Sequence, residues 1–124
     1  MAMIDLQKLV RSFIYAFEGI YYAYMHDQNL RIHSAAAVFV IILSIVLGIN
    51  SFEKGILGIT ILFVICAEMI NSAIEQMVDL ISIEHKKEAK IAKDVAAGMV
   101  LLTAIGSVII GIIIFTPYIV RIFK

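Results

Sequence analysis

A chain of 124 residues that is 62% hydrophobic, with mean hydropathy +1.00, is too apolar for an ordinary water-soluble domain, where about 45–50% is usual. Ten basic side chains balance ten acidic ones, so there is no basic footprint of the kind that nucleic acid requires. The single Cys66 excludes an intrachain disulfide and reads as packing.

The first predicted element is an amphipathic helix over about residues 3–25. Leu6, Leu9, Val10, Phe13, Ile14, Phe17, Ile20 and Tyr21 recur at helical spacing, while Asp5, Lys8, Arg11 and Ser12 tend to the other side. Such a helix suits the membrane interface, or packs on the rest of a bundle. The mixed polar start, without a small-residue cleavage site, is unlike a secretory signal peptide. A polar break follows at His26-Asp27-Gln28-Asn29, and a first span is expected over about 30–49. Residues 32–52 carry no Asp, Glu, Lys or Arg, and about 20 apolar residues cross a bilayer. Asn50-Ser51-Phe52-Glu53-Lys54 reads as a tight turn, leading to a second helix over about 55–82. A polar segment, 84–94, precedes a third span over about 93–120, charge-free from Val95 to Val120 and with Pro117 near its end. The expectation is one all-α integral membrane domain, residues 1–124, with three transmembrane helices and an N-terminal surface helix.

Lys8, Arg11, Arg31, Lys86, Lys87, Lys90 and Lys93 fall on one side of these spans, against Lys54, Arg121 and Lys124 on the other. That bias places the N-terminus in the cytoplasm and the C-terminus outside. A helix over 55–82 is about 42 Å long, against about 30 Å of hydrocarbon, so it leaves the core near Ile74. Glu75 and Asp79 then reach the cytoplasmic interface, with Glu68 one to two turns deeper.

The second span holds the most informative pattern. Glu68, Asn71, Ser72, Glu75 and Asp79 lie at offsets of 3, 4, 7 and 11 residues from Glu68, a single helical stripe. A carboxylate in hydrocarbon costs about 3 kcal/mol or more, so such a group points to use. Glu75 with Asp27 suits a hard cation such as Mg²⁺, which takes oxygen ligands, waters and substrate phosphates. Glu68, the deepest carboxylate, is the candidate general base. Asn71 can orient a ligand, and Lys93, beside Asp94, can meet a phosphate. Ser72 and Ala73 read better as helix-packing surface. His85 and the Lys86-Lys87-Glu88 run read as a solvated loop, and Met25, Met69, Met77 and Met99 as core or lipid-facing. No Walker-type glycine loop, Gly-x-Ser-x-Gly elbow or His-Glu-x-x-His is present. An enzyme at the membrane surface, a carboxylate-lined proton or cation channel and a structural bundle all remain open. Three spans enclose a site with difficulty, so each class implies an oligomer that shelters the carboxylates between subunits.

The run from Glu68 to Asp79, of pattern E-x-x-N-[ST]-A-[IL]-E-x-x-x-D, resembles the signature of the prokaryotic diacylglycerol kinase family. Phe17-Glu18-Gly19-Ile20, Asn29-Leu30-Arg31-Ile32-His33, Ala92-Lys93-Asp94 and Ala96-Ala97-Gly98 extend the likeness over nearly the whole chain. The resemblance implies a homotrimeric kinase of the bacterial cytoplasmic membrane, with sites shared between subunits, that uses Mg²⁺ and ATP to phosphorylate a lipid alcohol. Carried over by position, Glu68 is the base, and Asp27 and Glu75 are the metal ligands. Lys8, Tyr15, Asp27, Glu75, Glu84, His85, Lys86, Lys93 and Asp94 fall to the nucleotide. Gly19, Arg31, His33, Asn71 and Asp79 contact substrate or support the site. The Gram-negative, diacylglycerol-specific branch carries a carboxylate at His33 and favours Glu at Asp27. The segments around His33 and Glu18 look more like the Gram-positive undecaprenol kinase branch. Asp27, a methylene shorter than Glu, can reach a metal through water. The expected activity is transfer of the ATP γ-phosphate to undecaprenol; diacylglycerol as acceptor, and the channel, are the alternatives.

Overall fold

A computed structural model of the chain describes residues 4–81, 84 and 86–124. Among them the elements are four α-helices: α1 (Leu6–His26), α2 (Gln28–Val46), α3 (Ser51–Ile81) and α4 (Lys87–Ile122). Each of α2, α3 and α4 is long and apolar enough to cross a membrane.

Helix α1 starts where the Asp5 side chain accepts the Lys8 N–H, at 3.1 Å. It exposes nearly every side chain, large apolar ones included, and buries only Ala23. The break after it is a single residue. Asp27 is extended (φ −104°, ψ 113°), closing α1 through its N–H to Ala23 and opening α2 through its carboxylate. The polar run expected to break the chain over four residues therefore breaks it at one, because Asp27 supplies a side-chain acceptor for the first free N–H groups of α2. Arg31 reaches back across the bend and donates through Nη1 to the carbonyls of Tyr24 and Met25, at 3.1 and 2.8 Å. These are among the carbonyls that the end of α1 leaves without helical partners.

At the far end of α2, Gly48 adopts φ +63°. Its N–H reaches Ile45 O and that of Ile49 reaches Ser44 O, both at 3.1 Å. This is a Schellman stop, which needs a left-handed residue and so favours glycine. Ile49, 2% exposed, then tucks into a core cluster with Leu57, Ile114 and Phe115. Helix α3 begins at once, at Ser51, where a turn was expected through Lys54. Asn50 Oδ1 accepts the Glu53 N–H at 2.9 Å and caps it. Tyr118 of α4 closes this end, accepting from Asn50 N and donating to Glu53 Oε2 at 2.5 Å.

Helix α3 packs most extensively on α4, with α2 and α1 on its other sides. Its 31 residues give a length of about 46 Å, beyond the thickness of hydrocarbon. One end of the bundle is sealed by apolar side chains; the other carries the polar stripe.

Candidate active site

Glu68 is the most enclosed large side chain, with none of its surface exposed. Neither carboxylate oxygen has a hydrogen-bond partner among the described residues, and Asn71 Oδ1, one turn on, has none either. Asn29 approaches Glu68 without reaching bonding geometry, and Asp27, His33 and Glu75 lie within electrostatic reach. Side chains from the bend, from α2 and from α3 thus lie around one buried acid. Such a group is unfavourable unless an ion, a proton or a polar ligand completes it. The single chain already encloses the Glu68 side chain, while Glu75 and Asp79 on the same stripe stay exposed.

One turn along α3 from Glu68, at Ser72, opens a cleft of about 570 Å³. Gly19 and Tyr22 of α1, Asp27 and Asn29 at the bend, and Ser72 and Glu75 of α3 line it. Asp27 is firmly held. Its Oδ1 accepts from Asn29 N at 2.8 Å and Leu30 N at 3.2 Å, and its Oδ2 accepts from the Ser72 hydroxyl. On the α1 wall, Tyr22 and His26 stack with ring centroids 4.1 Å apart.

A second cleft, of about 340 Å³, lies where α3 meets α4. Lys86, Lys93, Asp79 and Asp94 line it together with Lys87 and Lys90. Lys93 Nζ is 2.5 Å from Asp79 Oδ1, and Lys90 Nζ is 2.6 Å from Asp94 Oδ2. Of the remaining expected residues, Lys8 and Tyr15 are exposed on α1 and line neither cleft. Arg31 is spent on the bend. Glu84 is exposed before α4, and His85 lies outside the described residues. His33 faces a smaller cavity within the span, lined also by Thr60 and Ser107. Asn29, Tyr22, His26 and Ser72 were not singled out as site residues from the sequence. The i, i+4 spacing of Tyr22 and His26, and the place of Ser72 inside the stripe, were the available signals.

Among the described residues no three of His, Cys, Asp or Glu gather as a metal cluster. Asp27 and Glu75 on one open cleft nevertheless suit Mg²⁺, which is commonly held by one or two carboxylates with water and substrate phosphates.

The sequence profile described as prokaryotic diacylglycerol kinase matches residues 14–115. The chain is 38% identical over 113 residues to a protein of Bacillus subtilis named undecaprenol kinase, covering 91% of this chain and 92% of the relative. It is 40% identical over 110 residues to a diacylglycerol kinase of Synechocystis, covering 88% of this chain but only 63% of that longer protein. A diacylglycerol kinase of Escherichia coli is 26% identical over 82% of this chain and 84% of its own length.

Proposed function

The chain belongs to the prokaryotic diacylglycerol kinase family, and from that premise we propose that it transfers the γ-phosphate of ATP to the hydroxyl of undecaprenol. The observation that carries the proposal is Glu68, buried with no hydrogen-bond partner among the described residues, one turn of α3 before Ser72, which lines a cleft with Asp27 and Glu75. Glu68 takes the proton of the lipid hydroxyl as its oxygen bonds to the γ-phosphorus. The bond from that phosphorus to the β–γ bridging oxygen breaks, and ADP departs. Asn71, with its free Oδ1 one turn away, holds the hydroxyl in line. Asp27 and Glu75 would hold Mg²⁺, which neutralises phosphate charge, the main requirement of this chemistry. Lys86 and Lys93 meet the phosphates, and the apolar face of α1 lies in the membrane interface. The working unit is a homotrimer in the bacterial cytoplasmic membrane, with the N-terminus inside.

Undecaprenol is favoured by His33, where the diacylglycerol-specific branch has a carboxylate, by Asp27, where that branch favours Glu, and by the likeness to the Bacillus relative along its length. The Synechocystis relative supports diacylglycerol as the second reading. The test is transfer of labelled phosphate from ATP to both lipids, offered side by side to the purified protein in micelles, with Mg²⁺ or chelator. Metal-dependent labelling of undecaprenol in preference to diacylglycerol is expected. The reverse preference keeps the mechanism and removes the use made of His33. No labelling of either lipid by folded protein removes the kinase reading and directs attention to ion flux.

A further inference from the structure

Ser72 stands between Glu68 and Glu75 on the stripe, four residues after one and three before the other. In a span, a serine hydroxyl ordinarily turns back to a carbonyl of its own helix. Ser44, Thr60, Thr103 and Ser107 all do so, bonding to Ile41, Ile56, Val100 and Ala104 respectively. Ser72 does not. Its hydroxyl crosses to Asp27 Oδ2, on the bend 45 residues earlier.

That difference matters because of what Asp27 is. It is the single extended residue between α1 and α2, and its Oδ1 is already committed to the N–H groups of Asn29 and Leu30. Capping fixes Asp27 to α2, but nothing in capping registers it against α3, where Glu75 sits. The Ser72 hydroxyl supplies that register, from one turn away on the same face as Glu75. A carboxylate oxygen has two acceptor directions, so Oδ2 can take the hydroxyl and still face the cleft.

The geometry points to Ser72 as a positioning residue, whose hydroxyl sets the Asp27 carboxylate opposite Glu75 for a divalent cation. This rests on the proposed role of Asp27 and Glu75 as the metal-holding pair. Outer partners of this kind typically change metal affinity by about 10–100-fold.

The test is Mn²⁺ binding, read by electron paramagnetic resonance on full-length protein in micelles with a non-hydrolysable ATP analogue. Ser72→Ala is expected to weaken Mn²⁺ by about tenfold, and to raise the Mg²⁺ concentration needed for half-maximal lipid phosphorylation more than it lowers kcat. Ser72→Thr, which keeps the hydroxyl, restores binding. In an Asp27→Asn background the Ser72→Ala change adds little, because the two act as one unit. Should Ser72→Ala fail to fold, Ser72→Cys keeps the shape with a weaker donor and is expected to show the same loss. Wild-type Mn²⁺ affinity in folded Ser72→Ala or Ser72→Cys, or the full loss repeated on top of Asp27→Asn, overturns the inference and leaves Ser72 as packing. Undiminished Mn²⁺ binding in both Asp27→Asn and Glu75→Gln instead overturns the underlying metal assignment, and the role of Ser72 with it.

Discussion

Glu68 is unfavourable as it stands, since neither of its buried oxygens has a partner among the described residues, and a buried polar group without a bond costs about 1–3 kcal/mol. A group kept at such a cost is expected to separate stability from activity when it is changed. Glu68→Gln is nearly isosteric and removes the charge. We expect it to lower lipid phosphorylation by about 10²–10⁴-fold, the usual contribution of a general base, with nucleotide affinity within a few-fold of wild type. The ligand-free melting midpoint should stay level or rise. Turnover at the wild-type rate would remove Glu68 as the base. A fall in both midpoint and nucleotide affinity would mark it as a structural residue. The burial of Glu68 was legible from its place on the stripe within a long apolar run. The direction of the Ser72 hydroxyl was not, because a serine among carboxylates and a serine packed against alanine have the same local sequence.

Capping side chains set the ends of the helices, and they explain where sequence and structure part. Charge-free runs located the three spans, but His26–Asn29 and Asn50–Lys54 read as loops because Asp, Asn and Ser favour turns and caps alike. In the structure Asp27 and Asn50 spend their side chains on helix N–H groups, so each connection shrinks and the helix beyond it starts early. Their partners lie elsewhere in the fold, Ser72 for Asp27 and Tyr118 for Asn50 and Glu53, and no local pattern announces contacts across 45, 65 or 68 residues. Tyr118 ties the start of α3 to the end of α4 beside the apolar cluster. Tyr118→Phe leaves the ring and removes the hydroxyl. It is expected to destabilise the protein by about 1–2 kcal/mol, read as a lower melting midpoint in micelles, with phosphorylation at ambient temperature near wild type. A large loss of turnover at full stability would mean that the sealed end communicates with the carboxylates.

At the scale of the whole molecule, the acids and the bases of the proposed reaction occupy different clefts. Within one chain, Asp27 and Glu75 line one cleft, while Lys86 and Lys93 line another, between α3 and α4. Lys93 is turned to Asp79 of its own chain, at 2.5 Å, and contacts neither Glu75 nor Asp27. A nucleotide needs its metal and its cationic contacts on the same phosphates. A symmetric assembly can supply both by setting the basic cleft of one subunit against the carboxylate cleft of the next, a head-to-tail contact that closes into a ring. Mixed assemblies separate the residues that act within a chain from those that act across it. Glu68→Gln subunits co-expressed with Asp27→Asn subunits should recover no activity, because the structure gathers both groups in one chain. Glu68→Gln subunits co-expressed with Lys93→Ala subunits should recover a measurable part of wild-type lipid phosphorylation, since intact carboxylates then meet an intact lysine from a neighbour. Recovery in the first mixture would mean that the carboxylate cleft itself is assembled between chains. Failure in the second, with both variants folded and associated, would place Lys93 in the same-chain site and require the Asp79 ion pair to open when nucleotide binds.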